Sequence, residues 1–213
     1  MRLGLRNIVL ACCMVCAAFF ASCHHALVRP NSTAIYYSDS KYINLLPTTS
    51  MDRSIDGIQH LDGTFSKNPT VQDAQEDSAS NSFSGEVWVR ANDSVLSITL
   101  MGSFGVTVAE LTYANDSVSF ASSAIDVEKM KPEYVLADFQ ACFYPYESLR
   151  ENFEKSGFTF TESKSAGEQS SDFERILSDD GKVILRIIYK ANEIDLINEL
   201  RHYKYHITLG SDG

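Results

Sequence analysis

The sequence has few cysteines that could pair within a folded domain. Five are present among 213 residues, but four of them lie within the first 23 positions, and Cys142 stands alone in the rest of the chain. That part of the chain cannot form a disulfide within itself and must rely on an apolar core. Cys142 lies close to Phe139 and Phe143, which predicts a small buried apolar side chain rather than a nucleophile.

An excess of basic residues is also absent. Lys and Arg number 18 against 28 for Asp and Glu, which gives a formal net charge of −10. Nucleic acids and anionic membrane surfaces attract basic chains, not acidic ones. The composition therefore predicts no nucleic-acid partner and no basic patch that docks on a membrane.

Motifs for catalysis, cofactors or metals are missing as well. The stretch "GSFG" at 102–105 lacks the G-x-S-x-G spacing of a nucleophile elbow, and no phosphate loop or dinucleotide fingerprint occurs. His202 and His206 are four residues apart, but their segment alternates like a strand, which would separate them by about 13 Å. We therefore expect no catalytic residue, no metal site and no cofactor, and we do not expect an enzyme.

The N-terminus contains a short apolar run that is followed by a cysteine. Arg2 and Arg6 precede an uncharged stretch from Ile8 to Ala21, and its length of about 14 residues is too short for a membrane-spanning helix. The pattern is typical of a secretory signal. The sequence "FASC" that ends it resembles a bacterial lipobox, which predicts that Cys23 is lipidated; the alternative is an ordinary cleaved signal with an incidental cysteine.

These features divide the chain into three parts. Residues 1–22 are predicted to be a lipoprotein signal peptide, residues 23–44 a flexible lipidated tether, and residues 45–213 a single domain. Acyl chains on Cys23 would make a membrane its partner. His24 stands where aspartate tends to retain lipoproteins in the inner membrane of enteric-type bacteria, so we expect an outer-membrane, periplasm-facing location.

Alternating apolar and polar residues predict strands in the first half of the domain. One face is formed by apolar residues at alternate positions: Leu96, Ile98, Leu100, Val106 and Val108. The alternation then changes phase near Ala109, which predicts a β-bulge. The pentapeptide "ANDSV" occurs at 91–95 and again at 114–118, and its Asn-Asp-Ser core favours turns.

Two helices are predicted in the middle of the domain. Pro132 suits a first helical turn, and Leu136, Phe139 and Phe143 follow on one face. A second helix follows Pro145 and ends at Gly157. Strands resume afterwards, among them a central strand that contains Leu185 and Ile187. The predicted fold is α+β, a curved antiparallel sheet whose concave face is covered by the two central helices.

Three stretches resemble lipoproteins of unknown function that are encoded in bacterial aryl polyene and related pigment gene clusters: "VLADFQACFYPYESL" (135–149), "VILRIIY" (183–189) and "LINELRHYKYHITL" (196–209). The matching positions are Asp138, Gln140, Pro145, Asn198, Tyr203 and Tyr205. That family is similar to the outer-membrane receptor LolB and its periplasmic partner LolA, so the resemblance implies a half-open barrel lidded by helices. It carries over no catalytic residue.

Two functions are compatible with these expectations. The first is an outer-membrane lipoprotein that carries a lipid or aryl polyene lipid in an apolar cavity, supports its transport or insertion, and receives it from a periplasmic carrier protein. The second is a structural or assembly lipoprotein of the cell envelope with no small-molecule ligand. For the first, the predicted ligand-lining residues are Leu96, Ile98, Leu100, Val106, Val108, Leu136, Phe139, Phe143, Leu185 and Ile187.

Overall fold

A computed structural model describes residues 25–30, 34–65, 81–124, 131–164 and 172–210, with the backbone alone over 25–30 and at position 81. Cys23 and the predicted signal peptide lie outside these ranges. The strands are β1 (His25–Pro30), β2 (Ile35–Tyr36), β3 (Tyr42–Ile43), β4 (Ile55–Phe65), β5 (Asn81–Ala91), β6 (Leu96–Met101), β7 (Thr107–Ala114), β8 (Ser117–Ser122), β9 (Thr159–Lys164), β10 (Phe173–Asp179), β11 (Lys182–Lys190), β12 (Glu193–Asn198) and β13 (Tyr203–Thr208). The helices are α1 (Pro132–Phe143) and α2 (Tyr146–Lys155).

Eleven of these strands form one antiparallel sheet in the order β1-β8-β7-β6-β5-β4-β13-β12-β11-β10-β9, and β2 pairs with β3 in a separate small sheet. The large sheet does not close into a barrel, since β1 and β9 are its two edges. The predicted α+β class, with a large antiparallel sheet and two helices, is confirmed. The strand that contains Leu185 and Ile187 is β11, which lies inside the sheet between β10 and β12.

Tight turns join adjacent strands of the sheet. Asn115 and Asp116 both have positive φ between β7 and β8, and Asp180 and Gly181 do between β10 and β11. Two consecutive positive φ values suit the right-handed twist of a hairpin, and Asn, Asp and Gly tolerate them best. In the other "ANDSV" copy, Asn92 Oδ1 accepts hydrogen bonds from the backbone N–H groups of Ser94 and Val95.

The predicted change of phase is a register shift between β6 and β7. Leu100 pairs with Ala109 whereas Met101 pairs with Thr107, which leaves Val108 without a partner across the ladder. Inward-facing positions on β7 are therefore Ala109, Leu111 and Tyr113, and all three are buried. The shift falls one residue before the expected position.

The first helix determines how the sheet curves. α1 contacts both β8 and β12, which stand six strand positions apart in the sheet order. A flat sheet would separate those strands by about 29 Å, whereas the 12 residues of α1 make a helix only about 18 Å long. The sheet must therefore wrap around α1, which lies across its concave face. α2 packs at the far edge against β9, where Phe153 contacts Phe160 with ring centroids 5.0 Å apart.

The segment predicted to be a tether differs from that prediction. Residues 25–30 form the edge strand β1, which pairs with β8 along its whole length. Further on, Ile35, Tyr37 and Ile43 are buried in the main core. The physical reason is that these apolar side chains are spaced too widely to show a period, yet they pack into the core, as Tyr37 does against Phe153 of α2 and Phe158. Within the described ranges, no helix has the length and apolarity needed to cross a membrane.

Candidate ligand-binding cavity

A cavity of about 450 Å³ lies between α1 and the concave face of the sheet; we call it the α1 cavity. Its wall combines side chains of α1 with inward-facing side chains of seven strands. They are Gln59, Leu61, Phe65, Phe83, Val87, Val89, Ile98, Leu100, Ala109, Leu111, Phe120, Val135, Asp138, Phe139, Cys142, Phe143, Leu196, Tyr205 and Ile207.

The apolar character of the wall follows from strand alternation. Neighbouring strands each contribute residues at i and i+2, as Val87 and Val89 do on β5 and Ile98 and Leu100 on β6. Alternate residues of a strand point to the same face of the sheet. The strand register aligns these pairs, because Val87 stands opposite Leu100 and Val89 opposite Ile98. A continuous apolar surface results.

The predicted ligand-lining residues divide into three groups. Ile98, Leu100, Phe139 and Phe143 line the α1 cavity. Leu96, Leu136, Leu185 and Ile187 are fully buried in the core and are not among the residues of the cavity wall. They lie on inward faces, but neighbouring side chains cover them completely, which alternation alone cannot reveal.

Val106 and Val108 make up the third group and lie outside the cavity wall. Val106 is 63% exposed and follows the turn Ser103–Gly105, whose Phe104 is fully exposed. Val108 is the residue at the register shift. The stretch from Phe104 to Val108 therefore does not continue the inner face of β6; it forms the tip of the β6–β7 hairpin.

A hydrogen-bonded chain of three predicted motif residues ties α1 to β12 and β13. Asn198 Nδ2 donates to Tyr203 Oη at 3.0 Å, and Tyr203 Oη donates to Asp138 Oδ2 at 2.5 Å. Asp138 is only 6% exposed and belongs to the cavity wall. Sequence similarity grouped these residues, and the structure brings them into direct contact.

Burial controls the ionisation of this group. Desolvation raises the pKa of Asp138 to about 7, against the hydrogen bond from Tyr203, which favours the ionised form. Burial, with the nearby Asp138, also raises the pKa values of Tyr203 and Tyr205. Desolvation raises the pKa of the Cys142 thiol well above its ordinary value, so this side chain is unsuited to act as a nucleophile.

The remaining motif residues have separate places. Gln140 on α1 is buried, and its amide both donates to the Leu46 carbonyl at 2.8 Å and accepts from the Leu46 N–H at 2.9 Å. Pro145 precedes the first residue of α2. Tyr205 lines the cavity, where its ring lies 4.9 Å from that of Tyr203.

A second pocket of about 410 Å³ lies on the other side of Phe143 and Cys142 and is more polar. One of its cations is Arg175, whose guanidinium donates to the carbonyls of Ala141 and Tyr144 and pairs with Glu162. These carbonyls belong to the last turn of α1 and the residue after it, so the Arg175 side chain caps the helix. This pocket contains the stacked rings of Phe173 and Tyr189, 4.0 Å apart.

Sequence reasoning missed the aromatic end of the α1 cavity. Phe65 on β4 and Phe83 on β5 line it, and their rings stack 5.9 Å apart. The Phe83 ring covers Gly63, its cross-strand partner, so that a Cβ at Gly63 would overlap the ring. The glycine within a strand was the available signal, because such glycines often mark a close approach.

Among the residues that the structure describes, no group of three or more His, Cys, Asp or Glu side chains could hold a metal ion. His202 lies in the turn before β13, and His206 within β13 hydrogen-bonds Asp195 at 2.7 Å.

Comparison with known protein families matches residues 69–211 to the family described as "Protein of unknown function (DUF3261)". The match covers about two thirds of the chain. Comparisons with curated proteins and with solved structures find no match.

Proposed function

Because the chain belongs to the DUF3261 family, whose description assigns no activity, we propose from its own geometry that it binds or carries a hydrophobic molecule in the α1 cavity. The observation that carries this proposal is an apolar cavity of about 450 Å³, partly open to solvent, between α1 and the sheet. Protein interiors leave few voids larger than a water molecule, whereas ligand pockets range from about 300 to 1,000 Å³.

The chemistry of the wall indicates the ligand class. Exposure of apolar surface to water is unfavourable. When a molecule with a long apolar body binds in the cavity, its own apolar surface and that of the cavity wall both leave water. The wall offers aromatic rings at one end, from Phe65 and Phe83, and aliphatic side chains along the strands. A lipid or an aryl polyene lipid fits this description, since both must be shielded to cross an aqueous compartment.

The finer part of the proposal concerns fold type and location. An antiparallel sheet wrapped around a helix supports a fold of the LolA/LolB type, in which acyl chains occupy the concave face. With Cys23 as the lipid attachment point, the protein would stand on the periplasmic side of a bacterial outer membrane. It would receive its ligand there from a periplasmic carrier protein and support transport or insertion of that ligand.

The test is binding of a fluorescent alkyl probe to the full chain that carries Cys23→Ser, so that no attached acyl chain competes for the cavity. Ala109→Phe would place a ring inside the α1 cavity, because Ala109 belongs to its wall. We expect this variant to lower probe affinity at least about tenfold, as displaced apolar contacts amount to roughly 1.5–3 kcal/mol.

The matched control is Glu110→Phe, which adds the same ring at the next residue of β7, on the exposed face. It should leave probe affinity unchanged. Purification of the wild-type protein from its native membrane, followed by mass spectrometry, should reveal a co-purifying lipid or polyene. Equal probe binding by both phenylalanine variants, with no co-purified molecule, would favour a structural or assembly lipoprotein instead.

A further inference from the structure

Asp138 is an unusual member of an otherwise apolar wall. Among the described residues that line the α1 cavity, it alone carries a carboxyl group, and its side chain is almost wholly buried. The other polar groups of the wall are the amide of Gln59, the thiol of Cys142 and the hydroxyl of Tyr205. An isolated buried carboxylate is strongly unfavourable unless it is hydrogen-bonded.

Only one oxygen of this carboxyl group has a hydrogen-bond partner among the described residues, although the charge of Arg201 also favours its ionised form. Oδ2 accepts the hydrogen bond from Tyr203, whereas Oδ1 accepts none from any residue that the structure describes. Oδ1 is also not among the buried polar atoms that are cut off without a partner. If Asp138 served only to join α1 to β13, it would need no oxygen other than Oδ2. The second oxygen is thus left to face the cavity.

We propose that Asp138 Oδ1 is the polar subsite of the α1 cavity and that the ligand is an amphiphile with a hydrogen-bond donor, a hydroxyl or an amine, on its apolar body. This inference rests on the proposed function and names the ligand's chemical class. A carboxylate headgroup is disfavoured, because it would bring a second negative charge against Asp138 in a medium where charges are poorly screened.

The neighbouring groups keep the carboxyl oriented for this role. Tyr203 Oη donates to Oδ2, and Asn198 Nδ2 in turn donates to Tyr203 Oη. Oδ1 therefore cannot rotate away without breaking a 2.5 Å hydrogen bond. The raised pKa of Asp138, about 7, means that the group can be neutral or charged near neutral pH. The charged form accepts from an amine or a hydroxyl most strongly.

The experiment compares three competitors with the same alkyl chain: dodecylamine, dodecanol and dodecanoate. Each displaces the fluorescent alkyl probe from the full chain carrying Cys23→Ser at about pH 8, where Asp138 is mainly ionised. We expect the amine and the alcohol to compete at concentrations at least about tenfold below that of dodecanoate, as one charge-assisted hydrogen bond implies. In Asp138→Asn this preference should shrink at least about tenfold.

The matched control is Asp195→Asn, which removes a carboxylate that pairs with His206 and Lys190 outside the cavity wall. It should leave the order of the competitors unchanged. Probe binding with dodecanoate as the best competitor, or an equal effect of both Asn variants, would overturn the polar subsite and leave the cavity proposal intact. Probe binding that survives Ala109→Phe would overturn both.

Discussion

At the scale of single residues, Asp138 is a group whose burial opposes folding at neutral pH. Its pKa rises from 3.8 to about 7 in the folded domain, mainly through desolvation. Between these two values the folded state holds a proton that the unfolded state has released. The free energy of unfolding therefore falls as pH rises from about 4 to 7, and the loss is complete above the folded pKa.

We expect Asp138→Asn to remove this pH dependence. The Asn amide oxygen can still accept from Tyr203, so the main structural contact of the carboxyl is kept. At about pH 8 the variant should be more stable than wild type by up to about 4 kcal/mol, from roughly 1.4 kcal/mol per unit of pKa. Near pH 4 the difference should largely disappear. Denaturant melts at a series of pH values measure it.

Asp195→Asn serves as the comparison in the same melts. Asp195 gains hydrogen bonds from Lys190 and His206, and its pKa is lowered despite partial burial. Asp195→Asn should therefore reduce the free energy of unfolding at pH values above the ordinary pKa of Asp195, whereas Asp138→Asn should increase it. A stabilising effect of Asp195→Asn would contradict the lowered pKa of Asp195. A destabilising effect of Asp138→Asn at about pH 8 would contradict the raised pKa of Asp138.

At the scale of elements, α1 holds the N-terminal segment through a buried amide. Gln140 is 2% exposed and hydrogen-bonds both backbone groups of Leu46. We expect Gln140→Leu to reduce the free energy of unfolding by about 2–4 kcal/mol, because two hydrogen bonds are lost and two backbone groups lose their partner. Equilibrium denaturation measures this, and protease sensitivity around residues 44–51 should rise.

Asn152→Ala provides the matched control for that variant. Asn152 makes a similar contact to the same segment, from its Nδ2 to the Asn44 carbonyl at 3.0 Å, but at an exposed site. Water can replace an exposed hydrogen bond, so the expected loss is about 0.5 kcal/mol. Equal losses for the two variants would show that burial of Gln140 contributes nothing to the attachment.

The elements themselves were largely predictable, and the reason is local. Alternation identified β6 and β7, and prolines at 132 and 145 located the helix starts, because these patterns depend on near neighbours in the chain. β2 and β3 have two residues each and β12 has six, and all three were missed. A strand of two residues is too short to show a period, and in β12 Ile197 interrupts the alternation of Ile194 and Leu196.

The cavity was predictable only in part, because its shape depends on side chains that are distant in the sequence. Ile98, Leu100, Phe139 and Phe143 were identified from alternation and helical spacing. Whether an inward side chain faces empty space, as Leu100 does, or a packed neighbour, as Leu96 does, depends on side chains several strands away. The spacing of apolar residues predicts which face of a strand or helix points inward, but not which side chains lie opposite that face.

At the scale of the whole molecule, the strand register brings His25 and the β6–β7 hairpin to the same end of the sheet. His25 pairs with Ser122, Ser122 with Ala109, and Ala109 with Leu100. The tip of the β6–β7 hairpin extends beyond this row. The proposed attachment residue Cys23 precedes His25 by two positions, so the chain can separate the two by no more than about 7 Å. Acyl chains on Cys23 would hold this end of the sheet against the bilayer.

The hairpin tip has the chemistry for that position. Phe104 is fully exposed and Val106 is 63% exposed, although a large apolar side chain in water is unfavourable. No described residue covers the Phe104 ring, and its backbone has a positive φ of 63° that turns the chain there. With Cys23 lipidated as proposed, we expect Phe104 to insert into the bilayer that would hold the acyl chains.

Vesicle binding tests this orientation in a chain that begins at position 23, carries Cys23→Ser and therefore lacks the apolar run of the signal. Neutral phosphatidylcholine vesicles are the suitable surface, because anionic lipids would repel this chain, whose net charge falls from −10 to −12 with the loss of Arg2 and Arg6. Phe104→Ser should weaken sedimentation with vesicles about tenfold, as removal of one inserted aromatic ring implies. Ile58→Ser, at an apolar side chain 52% exposed on β4, should change it little. An equal loss in both variants would mean that general surface hydrophobicity, rather than the hairpin tip, governs contact with the membrane.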